Sequence, residues 1–408
     1  MKQVYWLLAK QFFINVLPFS IFFIFPFFSL GLLVFGMIGA NPLFTIFVTA
    51  ILLVTYGSIG DFCTGSLREK LVQAKILDNP NLRSMHTQPV PRGGGWVFVL
   101  PLAAFLLFSL GAVLIITHED GYMDVEKRTL FFTHIAFSIG FLLITAISWL
   151  DDQKNISARW RLFVQFAATA LAIYFFLPAL NNIFPLWILP PVVFCLLTIL
   201  WVGFINLYNF MDGIDGITGI ETISIGFPIY LILIPLHSLF LPTPIPSPMF
   251  HLQAPLLGLI ITGISFGFLY HNWYPAKIFL GDIGSVTLGY VVGFCLLSVA
   301  GAGFWYVALT LPLYYLADGG ITLARRILRG EKFWEAHRTH FYQRAAQAAG
   351  RHDVVVLKIA ACNVVLIGIA MLELLVSPWF VLAAPLPVAL LLHNMAHQRH
   401  SAVKSPNG

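Results

Sequence analysis

The sequence predicts an all-α protein that crosses a membrane many times. Of its 408 residues, 59% are apolar and only 10% are charged, whereas a soluble domain carries about 25% charged residues. Three stretches, 11–60, 162–211 and 222–276, contain no Asp, Glu, Lys or Arg. Because a helix needs about 20 apolar residues to cross the hydrocarbon core, each stretch has room for two crossings. A soluble globular domain is therefore excluded.

Cysteine spacing and net charge exclude two further classes of protein. Cys63, Cys195, Cys295 and Cys362 form no CxxC pair, and three of them lie in apolar stretches. This spacing argues against a disulfide framework or a zinc site. The net charge of +5 is small for the length, so the basic residues belong to loops rather than to a nucleic-acid-binding face.

The hydropathy pattern predicts twelve spans. They are 12–38, 43–60, 95–117, 130–150, 162–178, 184–204, 217–236, 254–270, 285–299, 304–323, 355–375 and 378–394. The first span makes residues 1–40 an extra hydrophobic segment, which is too long for a cleavable signal peptide. We expect one integral-membrane domain at 41–394 and a short cytoplasmic tail at 395–408. Glu373 lies deep in a span, where we expect it to pair with a neighbouring polar group.

The distribution of Lys and Arg predicts the orientation. The loops that should lie on one side, together with the two termini, hold 20 basic residues, whereas the other side holds Lys127 and Arg128 alone. Basic loops face the cytoplasm, so both termini are expected inside. The loops rich in Asp, His, Asn and Gly are on this same side, which places the expected chemistry at the cytoplasmic surface of the membrane.

Acidic residues recur at the predicted cytoplasmic ends of the spans. Asp151 and Asp152 end the fourth span, where they fit a Mg²⁺ site, a general base or a solvated helix end. Asn209, Asp212 and Asp215 follow the sixth span without a Lys or Arg nearby. This pattern favours a cation or a polar substrate over a simple helix cap.

A second acidic motif precedes the ninth span. Asp282 follows Gly281 and precedes a Gly284-Ser285 helix start, five residues after Lys277. Oxygen ligands of this kind suit Mg²⁺ better than zinc, and a helix N-terminus also favours phosphate.

Two basic motifs complete the candidate site. Arg92 precedes three glycines, whose backbone N–H groups are suited to an anion. His337, Arg338 and His340 lie in the most basic loop. Two histidines at this spacing fit a metal, the arginines fit an anionic substrate, and the whole loop fits contact with anionic lipid headgroups.

Taken in order, these motifs resemble those of the polyprenyl-phosphate N-acetylhexosamine-1-phosphate transferases, the glycosyltransferase family 4 that includes the phospho-MurNAc-pentapeptide translocases. The resemblance runs from about residue 43 to residue 391 and covers five motifs. It implies about eleven family-core helices, preceded here by one extra helix, with the active site on cytoplasmic loops. It also implies the bacterial inner membrane as the location.

The resemblance implies a reaction and its partners. N-acetylhexosamine-1-phosphate would pass from a UDP-N-acetylhexosamine to undecaprenyl phosphate, giving the lipid diphosphate sugar and UMP. Mg²⁺ would be the cofactor, with Mn²⁺ as a second candidate. The partners would be these two substrates and membrane lipids, without nucleic acid, and a homodimer is a candidate assembly.

The resemblance also implies residue roles. Asp282 would be the main Mg²⁺ ligand, Asp215 would lie beside the metal and the nucleotide, and Asp151 and Asp152 would lie near the lipid phosphate. The remaining candidates are substrate-binding residues: Arg92, Arg161, Asn209, Asp212, Lys277, His337, Arg338 and His340.

One departure from the family pattern concerns the last motif. Many members carry a His-x-His-His run where this chain reads His340-Phe341-Tyr342-Gln343. This stretch resembles the branch that initiates O-antigen on 6-deoxy-N-acetylhexosamines. Direct displacement and a two-step route through an aspartyl phosphate both fit the residues, and the direct route is favoured. A transporter or flippase of lipid-linked sugars is the alternative from another class, and an inactive platform protein is a third.

Overall fold

The computed structural model describes residues 42–80, 85, 88–118, 124–154, 156–180, 184, 188–236, 248–331 and 338–397. Within these ranges the chain is a helical bundle with ten segments that are long and apolar enough to cross a membrane. The prediction of an all-α polytopic membrane protein is confirmed. The predicted span 12–38, His337 and residues 398–408 lie outside the described ranges.

The helices are named in chain order. They are α1 (Pro42–Gln73), α2 (Trp96–His118), α3 (Val125–Lys154), α4 (Ala158–Phe176), α5 (Pro190–Phe210), α6 (Ile217–Leu231), α7 (Pro248–Asn272), α8 (Asp282–Val299), α9 (Trp305–Thr310), α10 (Leu313–Leu328), α11 (Phe341–Ala349), α12 (His352–Leu375) and α13 (Pro385–His397). Short 3₁₀ turns at Leu177–Leu180 and Pro378–Ala383 and π turns at Ile232–Leu236 and Ala300–Phe304 extend some of them.

Helix α8 lies at the centre of the bundle. It packs against α3, α5, α6 and α7, and nearly all of its side chains are buried. Tyr290 of α8 stacks between Phe137 of α3 and Trp201 of α5, with ring centroids 5.1 and 4.7 Å away. The Trp201 indole also donates to the Tyr290 carbonyl at 3.1 Å. These contacts fix α3 and α5 relative to α8, and the acidic motifs lie at the C-terminal ends of α3 and α5 and at the start of α8.

The charged residues after the first described apolar stretch do not mark the end of its helix. The predicted span 43–60 continues as helix α1 to Gln73, through Asp61. Leu67 and Leu71, four residues apart on one helix face, are buried. Packing of this face therefore stabilises the helix beyond the apolar stretch. The loop expected to begin at residue 61 begins after Gln73 instead, 13 residues later.

The break predicted between spans 285–299 and 304–323 is present as a kink inside the apolar segment Asp282–Thr310, in the π turn Ala300–Phe304, where Gly303 has φ of +99°. The predicted span 304–323 is itself divided into α9 and α10 at Pro312, which has no backbone N–H to donate. Helix α10 has 16 residues, about 24 Å at 1.5 Å per residue, so it is shorter than a full crossing.

Two of the acids inside predicted spans, Glu221 and Glu373, have a polar partner on another helix. The Thr310 hydroxyl donates to Glu373 Oε1 at 2.5 Å, which confirms the expected pairing of Glu373. Asn363 Nδ2 donates to Glu221 Oε2 at 2.7 Å. The first hydrogen bond joins α9 to α12, and the second joins α12 to α6. Both therefore stabilise the packing of α12 in the bundle.

A short hairpin carries the Arg92 loop to the start of α8. Strand β1 (Leu77–Asp78) pairs antiparallel with β2 (Val90–Pro91). The amides of Gly93 and Gly94 donate to the Phe279 carbonyl at 3.2 and 2.8 Å, and the Gly95 amide donates to Leu280 at 2.8 Å. These N–H groups are therefore not available to an anion, and the prediction that they bind one is wrong.

The glycines instead allow two backbones to approach closely. A Cβ atom built on Gly95 would lie 2.3 Å from Gly284 Cα. The two nearest atoms, the Gly284 nitrogen and Cα, both belong to the backbone. Neither can therefore move aside by a side-chain rotation.

We expect Gly95→Ala to separate the Arg92 loop from α8 and to lower the free energy of unfolding by about 1–3 kcal/mol, the usual range for overpacking. Thermal unfolding in detergent measures this loss. Gly111→Ala in α2 is the matched control, since its added Cβ meets nothing within 4 Å. Equal melting temperatures for the two variants would contradict the steric argument.

Candidate functional site

The site is built around the N-terminus of α8. Gly281, with φ of +77°, precedes the helix and has no side chain to cap it. Asp152, in the last turn of α3, supplies the cap: its Oδ1 accepts from the Asp282 amide at 3.1 Å and its Oδ2 from the Ile283 amide at 2.9 Å. Carboxylates stabilise helix N-termini through these amides and through the helix dipole. Asp152 thus holds Asp282 next to the C-terminal end of α3.

Two arginines bridge the carboxylates around Asp282. Arg92 Nη2 lies 2.9 Å from Asp282 Oδ1 and 3.0 Å from Asp152 Oδ1. Arg161 Nη1 lies 2.6 Å from Asp151 Oδ2 and 3.5 Å from Asp282 Oδ2. Each oxygen of Asp282 therefore faces one guanidinium group. The arginine side chains are 39% and 36% exposed, so the cluster opens to one side.

Burial and charge act in opposite directions on Arg92. Burial disfavours its charged form, but the carboxylates of Asp152 and Asp282 outweigh that effect and raise the pKa of Arg92. The guanidinium is thus held as a permanent cation beside these carboxylates.

A second acidic group lies on the loop between α5 and α6. Asp212 accepts from the Thr218 hydroxyl at 2.6 Å. Asp215 accepts from the Ala276 amide at 2.9 Å and lies 3.3 Å from His352 Nδ1. These contacts connect the loop to α6, to the residues before α8 and to the start of α12.

Asn209 links the two acidic groups. The Ser285 hydroxyl, in the first turn of α8, donates to Asn209 Oδ1 at 2.6 Å. The pKa of Asp212 is raised to about 6 by burial, with the negative charges of Asp282 and Asp215 adding to the effect. The Ser285–Asn209 hydrogen bond thus places the end of α5, next to the Asp212 loop, beside the start of α8 that bears Asp282.

The site carries more negative than positive charge. The carboxylates of Asp151, Asp152 and Asp282 share two guanidinium groups, and those of Asp212 and Asp215 follow on the α5–α6 loop without an arginine contact among the ion pairs described. In the described part of the chain, no three His, Cys, Asp or Glu side chains converge as a complete metal-binding group. Mg²⁺ commonly takes one or two carboxylates and keeps its waters, so an open set of oxygen donors is the kind that could hold it.

Three further predicted residues differ in burial: His340 is buried, Lys277 is exposed and Arg338 is half-buried. His340 Nδ1 lies 3.2 Å from Asp318 Oδ1. The Lys277 ammonium lies 5.6 Å from the centre of the exposed Tyr270 ring. Arg338 lies in the loop before α11. Their predicted contacts with a sugar nucleotide stay predictions.

Sequence reasoning missed three contributors to the site. Thr218 and Ser285 hold Asp212 and Asn209, and each follows an acidic residue of a motif at the start of a helix. Their position in the first turn was a usable signal. His352 gave no such signal, because a single histidine at a helix start predicts nothing about a partner 137 residues earlier.

The raised pKa of Asp212 predicts a pH-dependent stability. The folded protein binds this proton more tightly than the unfolded chain does, since a free Asp has a pKa of about 3.9. The resulting stabilisation is complete below about pH 4 and is lost as the pH rises through about 6. In metal-free detergent solution, Asp212→Asn should therefore gain stability relative to wild type across this window, by on the order of a few °C.

Melting temperatures from pH 4 to pH 8 in the presence of a chelator test this expectation. Thr218→Val should move the window to higher pH, because the lost hydroxyl hydrogen bond stabilises the charged carboxylate. A difference between wild type and Asp212→Asn that does not vary with pH would contradict it.

Comparison with known proteins gives a consistent result. The sequence profile of glycosyl transferase family 4 matches residues 134–300, a range that contains the capping carboxylate, the α5–α6 loop and the start of α8. A probable undecaprenyl-phosphate N-acetylglucosaminyl 1-phosphate transferase of Bacillus subtilis (strain 168) is 26% identical, over 71% of this chain and 75% of its own length.

Two further relatives extend the match. A decaprenyl-phosphate N-acetylglucosaminephosphotransferase of Mycolicibacterium smegmatis is 25% identical, over 75% of this chain and 77% of its own length. A phospho-N-acetylmuramoyl-pentapeptide-transferase of Clostridium novyi (strain NT) is 33% identical over 28% of this chain and 35% of its own length. The resemblance found from the motifs is confirmed: this chain is similar to polyprenyl-phosphate N-acetylhexosamine-1-phosphate transferases over most of its length and to the glycosyl transferase family 4 profile over residues 134–300.

Proposed function

We propose that this protein transfers N-acetylhexosamine-1-phosphate from a UDP-sugar to undecaprenyl phosphate, and that this step initiates O-antigen or another cell-envelope polysaccharide. The observation that carries the proposal is the cluster of three carboxylates and two arginines at the N-terminus of α8, to which the loop bearing Asp212 and Asp215 is linked through Asn209 and Ser285. It supplies oxygen donors for a divalent cation and guanidinium groups for phosphates at one end of an apolar bundle. The basic loops favour the cytoplasmic side for this end.

The reaction forms one P–O bond and breaks another. An oxygen of the lipid phosphate attacks the β-phosphorus of the UDP-sugar, and the bond from that phosphorus to the bridging oxygen breaks to release UMP. A phosphomonoester has its second pKa near 6 and is largely dianionic at neutral pH. The nucleophile therefore needs no strong base, which favours direct displacement over an aspartyl-phosphate route.

The main barrier is then the repulsion between two anionic substrates. Arg92 and Arg161 each present a guanidinium that already bridges carboxylates, and a phosphate can take the place of one carboxylate in that pairing. Asp151 and Asp152 hold these arginines in place, and Asp152 also fixes α8. Asp215 and Asn209 orient the loop that would receive the nucleotide.

The donor set fits Mg²⁺, with Asp282 and Asp215 as the proposed ligands and Mn²⁺ as a second candidate. When bound, the ion neutralises charge on the diphosphate and on the departing UMP. Because both oxygens of Asp282 face guanidinium groups, the arginines and the metal compete for the same carboxylate.

Release of UMP by the purified protein tests the proposed function. With Mg²⁺ and undecaprenyl phosphate, a panel of UDP-GlcNAc, UDP-GalNAc, UDP-QuiNAc and UDP-FucNAc should give lipid-dependent UMP with at least one donor. Asp282→Asn should reduce turnover by about 10³-fold or more, since it removes the charged ligand that would hold the cation at the diphosphate. Asp124→Asn, the same change at an exposed position at the other end of α3, should keep wild-type turnover.

Normal turnover by Asp282→Asn would contradict the assigned metal ligand. Folded wild-type protein that releases no UMP from any donor on the panel would contradict the proposed reaction.

Competition between arginine and metal gives a separate prediction. Arg92→Gln removes a cation 2.9 Å from Asp282, so in the absence of substrate it should bind divalent metal about tenfold more tightly. Electron paramagnetic resonance of added Mn²⁺ measures this affinity directly. The same variant should have a higher KM for the donor, because one phosphate partner is lost. Unchanged or weaker metal binding would show that Arg92 does not compete with the ion.

A further inference from the structure

A buried carboxylate outside the site caps the short helix α11. Asp318 of α10 has no solvent exposure. Its Oδ1 accepts from the Phe341 amide and its Oδ2 from the Tyr342 amide, both at 3.0 Å. The Tyr314 hydroxyl and His340 Nδ1 lie within 3.2 Å of the same carboxylate. A nine-residue helix is too short to be stable alone in water, so its position is fixed by contacts of this kind.

The first turn of α11 reaches the acidic loop between α5 and α6. The phenol of Tyr342 donates to the Phe210 carbonyl at 3.0 Å. Phe210 ends α5, and carbonyls in the last turn of a helix have no partner within that helix. Burial raises the pKa of Tyr342 well above its ordinary value, so the phenol stays a neutral donor at this carbonyl.

Tyr342 also packs on the loop at a second point. A Cβ atom built on Gly213 would lie 2.2 Å from the phenol oxygen. Phe210 and Gly213 enclose Asp212 in the sequence, so the phenol holds the backbone on both sides of this carboxylate. On its other side the loop is held by Ser285 through Asn209 and by Ala276 through Asp215.

We infer that Asp318 and Tyr342 are positioning residues, which fix the loop bearing Asn209, Asp212 and Asp215 through the first turn of α11. Neither residue is part of the carboxylate and arginine cluster around Asp282. Asp318 acts on the α11 backbone, and Tyr342 transmits that position to the loop. The effect of this arrangement on turnover rests on the proposed function, whereas its effect on the loop itself does not.

Two variants test the contact of Asp318 with α11 and the contact of Tyr342 with the loop separately. Tyr342→Phe removes the hydroxyl that reaches Phe210 and keeps the ring. Asp318→Asn keeps one acceptor for the α11 amides and replaces the other oxygen with an N–H₂ donor. Tyr290→Phe is the matched control, because its buried hydroxyl also donates to a backbone carbonyl, that of Phe137 at 3.2 Å, in the middle of the bundle.

Hydrogen exchange of the peptide covering residues 209–216 is the first measurement, made on the full-length protein in detergent. We expect exchange to be at least threefold faster in Tyr342→Phe and in Asp318→Asn, and unchanged in Tyr290→Phe. The double variant should exchange no faster than the more affected single variant, because both changes act through one contact. Wild-type exchange in Tyr342→Phe would overturn the inference, even if Asp318→Asn failed to fold.

Kinetics with the donor found by UMP release are the second measurement. Loss of loop positioning should raise the KM for the donor about fivefold or more in Tyr342→Phe, with a smaller change in kcat. A purely structural role would lower the yield of folded protein and leave KM unchanged, which would also overturn the inference. If wild type released no UMP but the exchange result held, the proposed function would fail and the positioning role would stand.

Discussion

The hydrogen bonds from the first amides of α8 to Asp152 hold the site together. The central helix begins after a glycine, so its N-terminus is completed by a carboxylate from the end of α3. The same carboxylate contacts Arg92, whose loop lies against α8 through close glycine contacts. One side chain thus joins three segments that are far apart in sequence, and Asp282 is placed where they meet.

In the absence of ligand, the arginines offset the negative charge of the carboxylates in this cluster. Carboxylates packed this closely repel one another, and the guanidinium groups of Arg92 and Arg161 offset that repulsion. Anionic substrates and a cation would each replace a partner that the protein already provides. Binding of a cation to the acids and of phosphate to the arginines would therefore reinforce each other, since each releases the groups that the other needs.

Composition alone was enough to predict the class of fold. Long apolar stretches without charge are unstable in water, and in a lipid bilayer they are stable as helices, whose backbone groups are all hydrogen-bonded within the helix. The acidic motifs were also visible, and the structure brings Asp151, Asp152 and Asp282 together as their common position at span ends suggested. Helix ends were less predictable, since packing of Leu67 and Leu71 extends α1 beyond its charges. The glycines after Arg92 were read as an anion site, but their role depends on a backbone nearly 190 residues later, which a local pattern does not contain.

The contact between Asp215 and His352 has a consequence for biogenesis. His352 is the first residue of α12, and it follows Asp215 by 137 residues. A nascent chain that enters the bilayer in order would carry Arg92, the α3 carboxylates and α8 into the membrane well before α11 and α12 are synthesised. Under the proposed function, the enzyme would become competent only when its topology is complete. A stalled or truncated chain would then occupy the membrane without consuming nucleotide sugar or carrier lipid.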